Sequence, residues 1–120
     1  MYELVFYEDA QGNCPIEELI SKLDEKAAKN KNARIQLKQI MFQFDLIGRT
    51  GTRCSSEYVK HIRDDIWELR PGDNRILFFG WNGNKFVLLH AFRKKTQETP
   101  PKEIEKAEKE LRDWVNRYGR

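Results

Sequence analysis

Arg70, Arg75 and His90 fall into one row if the segments that carry them are strands of an antiparallel meander, and such a row is suited to holding an anion. Asn82-Gly83 between apolar runs is a hairpin signal, because both central residues of a type I′ turn need positive φ. With those two residues as the turn, the expected pairs are Trp81 with Asn84, Phe79 with Phe86, Leu77 with Leu88 and Arg75 with His90. A four-residue turn over Pro71-Gly72-Asp73-Asn74 closes the other hairpin, setting Arg70 beside Arg75 and Trp67 beside Phe78. Two arginines in opposition repel, so the placement is favourable only if something lies between or beside them. An anion bridged by both guanidinium groups satisfies that condition. So does an arrangement in which one arginine pairs with Glu68 or Asp73 and the other is solvated.

Alternation along these strands sorts two faces. Trp67, Leu69, Ile76, Phe78, Val87, Leu89 and Ala91 are expected on one, an apolar surface for the helices. Glu68, Arg70, Arg75, Leu77, Phe79, Phe86, Leu88, His90 and Phe92 are expected on the other, with Arg93, Lys94 and Lys95 leaving the sheet at its charged end.

The formal net charge of +3 is too small to declare a nucleic-acid binder, but the charge is unevenly spread. Residues 1 to 48 carry 6 basic and 8 acidic side chains, whereas residues 58 to 95 carry 8 basic and 4 acidic. In that second segment Lys60, Arg63, Arg70, Arg75, Arg93, Lys94 and Lys95 alternate with Tyr58, Trp67, Phe78, Phe79, Trp81, Phe86 and Phe92. Basic residues interleaved with aromatics suit single-stranded nucleic acid, although a solvated face on an ordinary sheet has the same composition.

Two cysteines, Cys14 and Cys54, lack the spacing of a disulfide framework or a zinc site. Two histidines, His61 and His90, do not make a conventional metal site by themselves, so neither a metal nor another cofactor is expected. No run approaches the roughly 18 apolar residues of a membrane span, and Met1-Tyr2-Glu3 opens no signal-peptide pattern. A soluble, cytoplasmic protein is expected. At 120 residues, the chain is read as one domain over 1–120.

The elements that would position the basic residues follow from periodicity. Tyr2 to Tyr7 reads as an opening strand. Pro15, ahead of Glu17-Glu18, opens a helix whose Ile16, Leu19, Ile20, Leu23 and Ala27 form one stripe. Leu37, Ile40, Met41, Phe44 and Ile47 repeat the pattern in a second helix that is expected to stop at Gly48. Gly48 to Ser56 reads as a connector or an anion-binding turn. Ile66–Arg70, Arg75–Trp81 and Lys85–Phe92 are the meander. Pro100-Pro101 opens a last helix with Ile104, Ala107, Leu111, Trp114, Val115 and Tyr118 on one stripe. The expected fold is therefore α+β, with an antiparallel-dominated four-stranded sheet, an N-terminal helical hairpin and a C-terminal helix, and with the helices on one face of the sheet.

Trp67-Glu68-Leu69-Arg70, Arg75-Ile76-Leu77-Phe78-Phe79, Leu88-Leu89-His90-Ala91-Phe92 and Lys94-Lys95-Thr96-Gln97-Glu98-Thr99-Pro100, followed by a helix with Glu103 and Ala107, carry a resemblance. Over residues 58 to about 112 the chain resembles the HigB-like toxins, phage-related members of the RelE/ParE superfamily of bacterial toxin–antitoxin modules; before that segment, only element order and approximate length agree. The resemblance implies a RelE-like fold, a bacterial cytoplasmic setting and metal-independent cleavage of mRNA on the ribosome. It further implies neutralisation by a HigA-like helix-turn-helix antitoxin in a heterotetramer. The family's basic cluster matches Lys60, Arg70, Arg75, Lys94 and Lys95 here.

Metal-free RNA cleavage needs a base for the 2′-OH, charge stabilisation for the phosphorane and an acid for the 5′-oxygen. Arg70 and Arg75 are the expected clamps, Lys60 or a lysine of the 94–95 pair the base, and His90 or the remaining lysine the acid. Tyr58, Phe79 and Phe92 would stack on bases or simply pack, and Arg63 and Arg93 would contact the RNA backbone. A gyrase-inhibiting toxin of the ParE type and a non-catalytic nucleic-acid-binding phage-related protein are the alternatives, because the scaffold alone does not dictate chemistry.

Overall fold

Local signals account for the N-terminal half. In a computed structural model that describes residues 1–120, Pro15 occupies the first turn of helix α1 (Pro15–Ala27), with Glu17 and Glu18 beside it where the helix dipole favours acidic groups. Asn30 caps helix α2 (Lys31–Thr50), its side chain accepting a hydrogen bond from the Ala33 N–H at 2.9 Å. Gly48 does not stop α2, which continues two residues further and gives way to a single 3₁₀ turn over Gly51–Arg53. A helix lacking a steric reason to end at glycine runs on until the positive φ of Gly51 turns the chain.

The strands are β1 (Glu3–Phe6), β2 (Val59–Arg63), β3 (Ile66–Leu69), β4 (Asn74–Trp81) and β5 (Lys85–Arg93), and helix α3 (Pro101–Tyr118) closes the chain. They form one mixed sheet in the order β1-β5-β4-β3-β2, with β1 parallel to β5 and every other pair antiparallel. The fold is thus α+β with three helices, but the sheet has five strands where four were expected. The additional strand, β2, is an edge with one neighbour, and its Lys60, His61 and Arg63 are exposed. A charged edge of this kind deters pairing with other chains and carries no apolar alternation by which to recognise it.

Helices cover both faces of the sheet, not one. The α1–α2 hairpin packs Ile16, Leu23, Ile40 and Ile47 against Leu69, Ile76, Phe78, Phe86 and Leu88. On the opposite face α3 packs Ala107 and Trp114 against Ile66, Leu77, Phe79, Val87 and Leu89. Full burial of Leu77 and Phe79 on the second face requires a cover there, since each large apolar side chain removed from water contributes roughly 1.5–3 kcal/mol.

The β3–β4 register follows the four-residue turn as expected: Trp67 faces Phe78 and Leu69 faces Ile76. The β4–β5 register does not. Three residues, Asn82 to Asn84, make that connection, with Asn82 and Gly83 at positive φ, so Trp81 faces Lys85 and Phe79 faces Val87. A bulge between Leu77 and Phe78 shifts the pairing again, setting Leu77 against His90 and Arg75 against Phe92. Val87 and Leu89 therefore lie on the α3 face, and Phe86 and Leu88 on the hairpin face, the reverse of the expected alternation.

Two polar contacts fasten helices to the sheet. Gln43, buried in the apolar stripe of α2, donates through Nε2 to the Arg70 carbonyl and accepts from the Arg70 N–H through Oε1, both at 3.1 Å. Exchange of Gln43 for the similarly sized methionine leaves that carbonyl unpaired. Gln43→Met is expected to lower unfolding stability by about 1–3 kcal/mol in urea titrations.

At the other face, Asp113 of α3 accepts from the Tyr7 hydroxyl at 2.7 Å and from Arg117 at 2.8 Å. The bond from Arg117, then that from Tyr7, hold its carboxyl below the usual aspartate range. A carboxyl depressed on folding stabilises above its unfolded pKa, and that contribution disappears as pH falls through the folded value. Asp113→Asn is expected to be less stable than the parent at pH 7, by under about 1 kcal/mol because the pair is partly solvated. The difference should shrink in unfolding curves recorded at successively lower pH, as the parent carboxyl is protonated through its depressed folded value.

Candidate functional site

Arg70 directly follows β3, and its main chain is held from two sides: the N–H is shared between the Tyr58 carbonyl at 2.9 Å and Gln43. The chain then turns through Pro71, Gly72 and Asp73, closed by the Asn74 N–H on the Pro71 carbonyl at 3.0 Å. Gly72 suits that turn. It has φ near 60°, and a Cβ would collide with the Gln39 side-chain oxygen.

Arg75, the second residue of β4, folds back over this turn. Its Nη1 donates to the carbonyls of Gly72 at 2.7 Å and Asn74 at 2.9 Å, which fixes the guanidinium plane beside Arg70. The carboxylate of Glu68 lies against both, its Oε1 being 3.6 Å from Arg70 Nε and 3.9 Å from Arg75 Nε. Oε2 accepts from the Thr99 hydroxyl at 2.6 Å, so Glu68 also ties the segment before α3 to the arginine pair.

One buried carboxylate thus lies against two guanidinium groups, with Asp73 of the turn near enough to act on Arg75 and Glu57 on the cleft wall. Burial, and then the neighbouring Arg70, push the Arg75 guanidinium below its ordinary pKa. Arg70 Nε is itself enclosed without a hydrogen-bond acceptor. Both observations describe cations short of counter-charge and hydrogen-bond acceptors, which a close anion would offset.

The arginines line a cleft of about 360 Å³ with Gln39, Phe42 and Gln43 of α2, Glu57, Tyr58 and Gly72. Its size is that of a small-ligand site, with polar groups converging from three elements. Phe42 and Tyr58 meet edge-to-face with ring centroids 5.9 Å apart and form the aromatic wall. Phe42 is 53% exposed and so presents its ring to whatever enters.

Among the residues singled out from sequence, Arg70, Arg75 and Tyr58 share the cleft. Lys60 stands on β2 opposite Glu68, exposed and one strand position from the group. Lys94 reaches the same end of the sheet, its N–H bonded to the Asp73 carbonyl at 2.8 Å, and Lys95 follows it, exposed. None of these three lysines lines the cleft wall.

His90 is placed elsewhere. It is 1% exposed, with Nδ1 2.6 Å from Glu110 and Nε2 3.1 Å from Glu103, so both ring nitrogens are held by carboxylates of α3. The expected Arg70–Arg75–His90 row is broken by the bulge, which puts Phe92 opposite Arg75. Phe79 is fully enclosed in the core and has no face to offer a base. Phe92 is half-buried in the α3-side core. Arg93 is bonded to Gln36 at 3.0 Å, and Arg63 is paired with Glu108 of α3 at 2.8 Å, at the far end of β2 from Tyr58.

Gln39, Phe42, Gln43 and Glu57 were not legible as site residues. A signal existed for Gln43: it lies three residues after Ile40 and four before Ile47, a polar side chain on an otherwise apolar stripe. Phe42 points away from that stripe, as does Met41, which was assigned to it and is 42% exposed.

No curated protein matches the chain. The family model described as "Phage derived protein Gp49-like (DUF891)" matches residues 19–112, a span that holds α2, every strand of the cleft, Glu68, Arg70, Arg75 and most of α3. With the greater part of the chain matched, and the matched part carrying the whole arginine site, this protein belongs to the phage-derived Gp49-like family.

Proposed function

We propose that this protein is a RelE-like toxin of a toxin–antitoxin module, resembling the HigB type, and that it cleaves mRNA on the ribosome. The observation that carries this reading is the pairing of Arg70 and Arg75 over a single buried carboxylate at the mouth of a cleft. Membership of a phage-derived family is compatible with a toxin of that kind. The partners we propose are the mRNA and a HigA-like helix-turn-helix antitoxin, joined to the toxin in a heterotetramer.

In this reading a phosphodiester enters between the arginines and Phe42 and Tyr58 flank the adjoining bases. Lys60 or a lysine of the Lys94–Lys95 pair takes the 2′-OH proton. The 2′-oxygen attacks phosphorus, the bond to the 5′-oxygen breaks, and a second lysine protonates the departing oxygen. The two guanidinium groups neutralise the charge that grows on the phosphorane. With both nitrogens of His90 engaged by Glu103 and Glu110, its part is to hold α3 on the sheet, and the acid falls to a lysine.

Expression of the chain alone is expected to stop protein synthesis first, as read by pulse labelling. A primary fall in DNA synthesis with messages intact would instead indicate gyrase inhibition. Arg75→Ala is expected to fold and to lose about 10²–10³ in cleavage rate, the loss typical of one transition-state electrostatic contact. Unchanged cleavage by a folded Arg75→Ala protein would remove the residue from the site.

The ends of the cut RNA are expected to be a 2′,3′-cyclic phosphate and a 5′-hydroxyl, identified by end-group analysis. A 5′-phosphate with a 3′-hydroxyl would show water as nucleophile and would overturn the roles given to the basic cluster.

A further inference from the structure

Helix α2 carries a second apolar surface that no part of this chain covers. Ile35, Met41 and Phe42 are 44%, 42% and 53% exposed, whereas the other exposed large hydrophobic residues, Met1, Tyr2 and Tyr118, lie at the chain ends. Along α2, reaching Ala27 at the end of α1, lies a groove of about 530 Å³ lined by Leu37, Met41 and Phe42 and by the cations Arg34 and Lys38. Neither cation has a carboxylate partner in the chain; Arg34 is fixed along the groove by donating to the Ala27 carbonyl at 2.6 Å. Phe42 belongs to this groove and to the arginine cleft alike, so the two adjoin at its ring.

We propose that the groove receives an acidic amphipathic helix of a partner protein, whose end then closes the cleft. From Arg34 to Phe42 the groove spans about 12 Å, a little over two helical turns, the span read by apolar side chains at i, i+3, i+4 and i+7. Leucine-sized side chains fit the floor, and carboxylates beside them meet Arg34 and Lys38, which have no other anion to satisfy. RNA is the weaker fit. A nucleic acid strand needs cations along its length and stacking faces at each base, whereas this floor is aliphatic except at the Phe42 end.

Because Phe42 forms the wall shared with the arginine pair, a helix lying on it stands over the entrance used by the substrate. The closing effect rests on the cleft being the working site; the docking itself does not.

The test uses the whole chain as the Arg75→Ala variant, which permits expression, and follows backbone amide shifts in NMR titrations. The probes are a synthetic peptide of about 15 residues with leucines at i, i+3, i+4 and i+7 and flanking glutamates, its twin with lysines in place of the glutamates, and a short uridine oligonucleotide. The acidic peptide is expected to shift Arg34 to Phe42, and the basic twin is not. Met41→Glu should weaken the acidic peptide by about tenfold or more. A double variant, Arg34→Glu with Lys38→Glu, should reverse the preference in favour of the basic twin, a gain that a misfolded protein would not show.

Equal binding of the two peptides, or no shifts between Arg34 and Phe42, would overturn the proposal. So would oligonucleotide shifts centred on Leu37 and Met41, or a concentration-dependent dimer abolished by Met41→Glu, which would assign the face to RNA or to a second copy. Cleavage by the wild-type chain, inhibited by the acidic peptide, reads the closing effect separately. If the peptide docks but no cleavage exists to inhibit, the functional reading fails while the docking surface stands.

Discussion

A carboxylate removed from water is tolerable only when its charge is met by close partners, and Glu68 meets that condition with two guanidinium groups and a hydroxyl. The consequences run through the structure. Arg70 and Arg75, which would repel one another at the ends of adjacent strands, are held together by the same carboxylate. Thr99, bonded to its second oxygen, draws the chain that follows β5 across the sheet before α3 begins. The two arginines are thereby presented together at the cleft, where Glu57 is the one acidic residue of the lining.

The two helical layers have different tasks around that assembly. The α1–α2 hairpin supplies the bulk of one core and, through Gln43, an exact grip on the Arg70 main chain, so the arginine is carried by the helix as much as by the strand. Gln39 and Phe42, on the same helix, make the opposite wall of the cleft. Helix α3 covers the other face and is anchored by polar side-chain contacts at two points, His90 between Glu103 and Glu110, and Asp113 between Tyr7 and Arg117. Histidine in that position places a ring nitrogen within hydrogen-bond distance of each of two buried or half-buried carboxylates of the helix.

The outer surface of α2 is the counterpart of this economy. A helix that presents one stripe to the core usually leaves a polar face to water, but Ile35, Met41 and Phe42 interrupt that pattern beside unpaired cations. Phe42 joins that surface to the arginine cleft, so burial of one bears on access to the other.

Local chemistry in the sequence determined the helices, the turn at Pro71-Gly72-Asp73-Asn74 and hence the β3–β4 register, which sets Arg70 beside Arg75. Proline at a first helical turn, an asparagine cap and a four-residue turn each act within a few residues, so their effects can be read along the chain. The three-residue turn after Trp81 and the bulge at Leu77 were decided by packing on both faces of the sheet, and they moved His90 away from the arginines and under α3. Strand β2 has too few apolar residues to announce itself and exists because β3 offers an unpaired edge. Gln43 and the Glu68–Thr99 bond belong to the site through contacts spanning 27 residues for Gln43 and 31 for Thr99, and Phe42 through its contact with Tyr58, distances over which periodicity carries no information. The residues able to bind an anion were visible in the sequence; the walls, the buried counter-charge and the grip that aims them arise only when the helix and the sheet are brought together.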